Sequence, residues 1–165
     1  METARIEELI YQTLIAEPEL INKLGGGEES VYHIQAPAVV KYPSIVYNVL
    51  SSVPNLHADN EVVEYSAKVR IHIITEDGEY AEVSEEVEKV MRRLRGARYD
   101  RNTYTDKKEE TLILDYRVCV NAKELPTIEE ISGDSGDCKC ECKVKKIVTE
   151  EEIDKFFEEM ESEYK

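Results

Sequence analysis

From Val63 to Ile73 the chain alternates without a fault. Val63, Tyr65, Ala67, Val69, Ile71 and Ile73 fall on one side, and Glu64, Ser66, Lys68, Arg70 and His72 on the other. Successive side chains of a strand point to opposite faces, so this run is a long strand with one face buried and one wet. That is the habit of an antiparallel sheet rather than a doubly covered parallel one. Whatever the chain folds into must supply an apolar layer for that single face.

The layer is legible on either side of the strand. Asp77-Gly78 makes a turn into a helix expected from about Glu79 to Arg95, with Tyr80, Val83, Val87, Val90, Met91 and Leu94 as its apolar stripe. Acidic residues crowd its start, and Arg92, Arg93 and Arg95 its end, which complements the helix dipole. Gly96 is the expected C′ residue. Arg98 to Thr105 reads as a polar edge strand, Asp106–Glu109 as a turn, and Leu112, Leu114, Tyr116, Val118 and Val120 as the buried face of a further strand. Upstream, Thr3 is the expected cap of a helix carrying Ile6, Leu9, Ile10 and Leu14. Glu17-Pro18 interrupts it, and Pro18 suits the first turn of a short second helix with Leu20, Ile21 and Leu24, ended by the flexible corner Gly25-Gly26-Gly27. Val31–Ile34 is a short strand. Ser44 to Val53 is a stronger one, with Ile45, Tyr47, Val49 and Val53 on one face and Val46, Asn48 and Leu50 on the other. Ser52 to Asn60 is expected to be a loop, marked by Pro54-Asn55 and Asp59-Asn60.

The core is complete near Leu125, and the sequence then changes character. Ser132 to Asp137 is a linker by composition, and residues 126–165 hold 13 acids and 6 Lys, a net of 6 − 13 = −7. Thr149 followed by Glu152 is a capping box opening a last helix with Ile153, Phe156, Phe157, Met160 and Tyr164 on one face. The division expected is therefore an α+β domain over 1–125, a linker over 126–137, and an extension over 138–165 with a cysteine-bearing strand and an acidic amphipathic helix. The fold class is α+β, a mostly antiparallel sheet packed against helices in the order α-β-β-β-α-β-β.

The formal charge is −15, from 21 Lys and Arg against 36 Asp and Glu. Gripping a nucleic-acid backbone requires Lys and Arg to displace counterions, so this balance argues against it and suits solubility. There is no apolar run long enough for a membrane span and no signal-peptide layout at the N-terminus, which leads to the expectation of a protein made in the cytoplasm.

No combination of residues makes a reaction centre. His33, His57 and His72 lie apart from any Cys, Ser or acidic motif that would suggest a triad. Glu82, Glu85, Glu86 and Glu88 are explained by solubility and by i,i+4 pairing with Lys89 and Arg92. Gly25-Gly26-Gly27 follows no strand and lacks the lysine and hydroxyl of a phosphate loop. Cys138, Cys140 and Cys142 form a C-x-C-x-C run, and Cys119 lies alone in a strand. Zinc sites want four thiolate or imidazole ligands around a tetrahedron, whereas spacing by two sets three thiols along one face of an extended strand. Metal binding by this run and a strand with small side chains turned inward are the two readings. No enzymatic activity and no cofactor are expected.

Tyr42-Pro43-Ser44-Ile45-Val46-Tyr47 opens one strand and Glu64-Tyr65-Ser66 lies near the start of the next. The acidic turn leads into Ala81-Glu82-Val83-Ser84-Glu85-Glu86-Val87, and the hairpin ends in Leu114-Asp115-Tyr116-Arg117-Val118. In this order the segments resemble the tail-completion (tail-terminator, head-tail joining) proteins of long-tailed bacteriophages and prophages, over about residues 5 to 122. The resemblance implies a virion protein that forms a ring, usually a hexamer, on the head-proximal end of the tail tube. Such a ring ends tail polymerisation and joins the tail to a head-completion or connector protein. Its strands face the ring, its helices lie outside, and DNA passes through without specific binding. A hexamer would carry a formal 6 × −15 = −90, which repels phosphate. The C-x-C-x-C segment and the last helix are outside the resemblance. Contacts are expected at Pro54, Asn55, Leu56 and His57 in the first loop, at Lys107 and Lys108 in the second turn, and at Ile153, Phe156, Phe157 and Met160 in the last helix, because loops without core duties are where partners bind. The alternatives are another phage neck or head-closure protein, and a cytosolic metal- or redox-responsive module using the C-x-C-x-C segment.

Overall fold

The computed structural model describes residues 2–106 and 108–127. Two helices open the chain, α1 (Glu2–Ile15) and α2 (Pro18–Lys23), followed by a 3-10 turn and three strands, β1 (Val31–His33), β2 (Ser44–Ala58) and β3 (Glu61–Thr75). Helix α3 (Ala81–Arg93) and the hairpin β4 (Ala97–Asp106) and β5 (Glu109–Asn121) complete it. The five strands form one sheet in the order β1-β2-β3-β5-β4, antiparallel except for the β1–β2 pair. The α+β class and the element order agree with the sequence.

The alternation in β3 places it at the centre, hydrogen-bonded to β2 on one side and β5 on the other. Ala67, Val69, Ile71 and Ile73 are buried together with Leu112, Leu114, Tyr116 and Val118 of β5 and Ile45, Tyr47 and Val49 of β2. Ile6, Ile10 and Leu14 of α1, Leu20 of α2, and Val83, Val87, Val90 and Met91 of α3 close the same cluster. All three helices thus lie on one side of the sheet. The structure has two layers, and the second face of the sheet has no helix over it among the described residues.

Local chemistry sets the element ends. Pro18 occupies the first turn of α2, where its missing N–H costs nothing. Between β3 and α3, the Thr75 hydroxyl bonds the Glu110 carbonyl and accepts from Gly78 N–H at 3.1 Å, while Gly78 takes φ +78°. Helix α3 ends in a paired wrap: Gly96 N–H reaches the Met91 carbonyl at 2.7 Å and Arg95 N–H the Arg92 carbonyl at 3.0 Å. The left-handed residue is Arg95, φ +56°, not the Gly96 expected from sequence. Gly96 is required one position later, because a Cβ there would stand 2.8 Å from the Met91 carbonyl oxygen.

Three other expectations change. Thr3 lies inside α1, and its hydroxyl bonds that of Ser52 at 2.8 Å instead of capping the helix. The glycine corner is tightly packed at Gly25, whose Cβ position is 2.2 Å from the Tyr42 carbonyl oxygen. Ser52 to Asn60 is not a loop. Strand β2 runs through it to Ala58, and the reversal is the two residues Asp59 and Asn60, at φ +51° and +68°. Both angles positive is the turn whose twist suits a hairpin, and Asp and Asn tolerate it. Pro54 does not break the strand because β1 ends opposite Tyr47, leaving this part of β2 at an edge where a missing N–H is tolerated. A bulge between Val49 and Ser51 shifts the register, so Val53 falls opposite Ser66 on the uncovered face rather than with Val49.

The core and the edge should differ sharply in a mutational test. Ile71→Ala, at 0% exposure, is expected to lower unfolding stability by about 2–5 kcal/mol. Leu56→Ala, at 53% exposure, should change it by less than about 0.5 kcal/mol. Urea unfolding followed by circular dichroism separates the two.

Candidate assembly surface

The uncovered face is built from the other half of each alternation. Directly opposed pairs across β3 and β5 bring together Ser66 with Cys119, Lys68 with Arg117, Arg70 with Asp115 and His72 with Ile113. Arg70 grips Asp115 with two bonds of 2.7 Å, a forked arrangement that fixes both groups, and Asp115 is almost fully buried beneath it. Lys68 and Arg117 are both exposed. His72 is half-buried beside this pair. Burial first, and the Arg70 charge second, lower its pKa, against an opposing pull from Asp115.

The β2–β3 hairpin continues past the sheet. The last β3–β5 pair is Glu64 with Asn121, while β2 and β3 pair on to Ala58 and Glu61. Three more residues of β3 at ~3.3 Å each carry the ribbon about 10 Å beyond its neighbours. Leu50, Val53 and Leu56, on the stretch of β2 past Tyr47 whose outer edge β1 leaves unpaired, are 44%, 54% and 53% exposed. Of the expected contact residues, Pro54, Asn55, Leu56 and His57 are on this edge stretch of β2, all exposed, and His57 lies beyond the last β3–β5 pair. Asn55 donates to Glu64 across the ribbon at 2.6 Å, which stiffens it. At the opposite end, Lys108 is exposed in the β4–β5 turn, and the neighbouring Glu109 is held by the Tyr42 hydroxyl. That bond raises the Tyr42 pKa to about 12. Lys107, Cys138, Cys140, Cys142, Ile153, Phe156, Phe157 and Met160 lie outside the described residues. The sequence reading passed over the sheet face itself. Its signal was available in the polar half of the β3 alternation, Lys68, Arg70 and His72, facing a β5 that carries Asp115 and Arg117.

Charged groups on the helical side serve the fold. Glu17, Glu19 and Glu86 bring their carboxylates within 4.8 Å of one another. Lys23 and Lys89 bind Glu86 at 3.0 and 2.9 Å, and Arg93 binds Glu17 at 2.5 Å, so the cluster is already neutralised. Hydrogen bonds from Lys89, then Lys23, hold the Glu86 carboxyl below the usual range. Arg98–Glu88 and Arg95–Glu124 bonds, each 2.6 Å, fasten β4 and the end of the domain to α3. Arg5 donates to the Pro126 and Leu125 carbonyls, pinning the exit of the chain against α1. The histidines are dispersed: His33 stacks on Tyr47 and meets Glu7 at 3.2 Å, His57 is on the arm, and His72 is on the open face. A shallow depression near Tyr42 is lined by Pro43, Glu76, Asp77, Glu79 and Glu82 and has an acidic wall. No helix of the described residues is long and apolar enough to cross a membrane.

No protein-family model matches the chain, and no curated protein matches it in sequence. Among solved structures, it is similar to a chain of a structure described as "Virion of native gene transfer agent (GTA) particle", at 18% identity and a TM-score of 0.41, covering 68% of this chain and 91% of that one. At that TM-score the likeness carries no weight for function.

The open face gives a pH signature. The folded protein holds His72 at a lowered pKa, so it binds fewer protons than the unfolded chain between the folded value and about 6.5. The neutral imidazole's contribution is complete above pH 6.5 and is lost as pH falls toward the folded value. His72→Gln should therefore show a smaller drop in melting temperature between pH 8 and pH 5.5 than the parent, measured by calorimetry.

Proposed function

We propose that this chain is a structural component of a phage-type virion whose copies close into a ring on the head-proximal end of a tail tube, ending its growth and presenting a docking face to the head. The mechanism is surface complementarity, with no bond made or broken. The observation that carries the reading is the arm. From Tyr42 to Ala58 the sequence holds no Asp, Glu, Lys or Arg, in a chain that is 35% charged. An exposed strand edge is normally guarded by charge, above all by Lys. Here the guard is missing where Leu50, Val53 and Leu56 stand in solvent. A contact between subunits accounts for a surface kept both uncharged and unpacked.

The wider chemistry fits this role. The acidic balance keeps a conduit from holding passing DNA, and the ion pairs on the helical side are spent on fastening helices and chain ends. Lys107 and Lys108 at the far turn, and Ile153, Phe156, Phe157 and Met160 beyond the described residues, are proposed as further contacts, to the tail-tube protein or to the head-completion protein.

Sedimentation velocity at rising protein concentration, alone and with tail-tube protein, tests the proposal. A closed ring, a hexamer in the favoured form, is expected in at least one condition, and Leu56→Glu should abolish it while leaving the melting temperature within a few degrees of the parent. A parent chain that stays monomeric in every condition contradicts it.

A further inference from the structure

The arm needs a receiving surface. The candidate is the uncovered sheet face, where Lys68 and Arg117 are directly opposed across β3 and β5 and both exposed. Like charges opposite each other work against a sheet. The neighbouring guanidinium of Arg70 has its carboxylate, Asp115. Lys68 and Arg117 make no ion pair among the described residues, although acids outnumber bases in the chain by 36 to 21.

The complementary charge is at the arm tip. Asp59 in the hairpin turn and Glu61 just after it are both exposed, and neither has an ion-pair partner among the described residues. They do not reach Lys68 and Arg117 of their own chain. The ribbon is paired from Ser44 opposite Ile74 to Ala58 opposite Glu61, with register shifts at Val49/Ser51, Pro54/Leu56 and Leu56/His57. Glu61 is therefore held seven residues along the strand from Lys68, about 23 Å at ~3.3 Å per residue. Among the described residues the acids and bases of one chain stay apart, and a second copy brings them together.

Building on the ring reading, we infer that the acidic tip of the arm docks on the open sheet face of the next copy, with Asp59 and Glu61 of one chain meeting Lys68 and Arg117 of the other. Leu56 beside the tip then lies toward the half-buried Ile113 of the receiving face, so the contact has an apolar centre with charges around it. The charges set register and select this orientation between two bodies that each carry −15. Tip and face are different patches, so the contact runs head to tail, and rotation can close it into a ring.

The test is a charge exchange in the full chain. Lys68→Glu with Arg117→Glu makes the face acidic. Asp59→Asn with Glu61→Lys makes the tip basic and keeps a residue at position 59 that tolerates positive φ. Each set alone should raise the concentration at half-assembly by roughly tenfold or more, and the two together should return it to within about threefold of the parent. Circular dichroism melts check that every variant folds. As an independent measurement, Ala58→Cys in a chain with Cys138, Cys140 and Cys142 replaced by Ser, treated with a mild oxidant such as copper phenanthroline that takes up the two electrons, should form a disulfide with Cys119 of another copy, since Cys119 is two residues from Arg117 on the same face. The inference is overturned if either charge set leaves assembly unchanged, if the combined variant is no better than the single sets, or if no such cross-link forms in assembled protein. Assembly that stops at two copies with the charge rescue intact upholds the contact and overturns the ring. A parent chain that never assembles removes both.

Discussion

One-sided burial of the central strand is the constraint on which the rest depends. β3 is hydrogen-bonded along both edges, and its Ala67, Val69, Ile71 and Ile73 are covered by α1, α2 and α3 from one direction only. The hydrophobic effect on that face is the main favourable term in a fold of this size. Because all three helices of the described residues are used on one side, the other side of the sheet is kept soluble by its own side chains. The forked Arg70–Asp115 pair, Lys68, Arg117 and half-buried His72 do this. A sheet with one bare face is therefore a direct result of the alternation, and a bare face is where another molecule can settle.

The same strand pairing explains why the arm projects. β1 covers β2 only as far as Tyr47, and β5 leaves β3 at Glu64, so the last residues of the β2–β3 ribbon have no lateral strand among the described residues. A two-stranded ribbon is marginal alone. It is supported here by pairing that runs on from a buried base, by the Asp59-Asn60 reversal and by the Asn55–Glu64 bond. An extended, stiffened ribbon loses less conformational freedom on docking than a loop of the same length would. Its order is in that sense part of its fitness for binding.

Much of the fold was legible because its signals are periodic and local. The β3 and β5 alternations, the apolar stripe of α3 and the Pro18 helix start each follow from spacing alone. The arm was misread because breaker residues were given more weight than context. Pro54-Asn55 signals a loop when nothing is known of the neighbours, and it becomes acceptable strand once β1 is seen to stop short. The bulge at Val49–Ser51 turned Val53 outward, and no residue-type pattern announces such an extra residue. Arg95 took the left-handed position because Gly96 was needed one place later for its close approach to Met91, a tertiary demand. The open face was missed for a different reason. Its polar residues look like ordinary solvated positions until strand order shows Lys68 against Arg117 with no acid between them.

The central claim is that the arm is a surface made to be covered by another copy. Hydrogen–deuterium exchange at protein concentrations below and above assembly tests it most directly. The account predicts that amides of residues 50–64 gain protection on assembly while those of β3 from Val69 to Ile73 do not change. Arm amides that exchange at the same rate in the assembled and unassembled protein would contradict it.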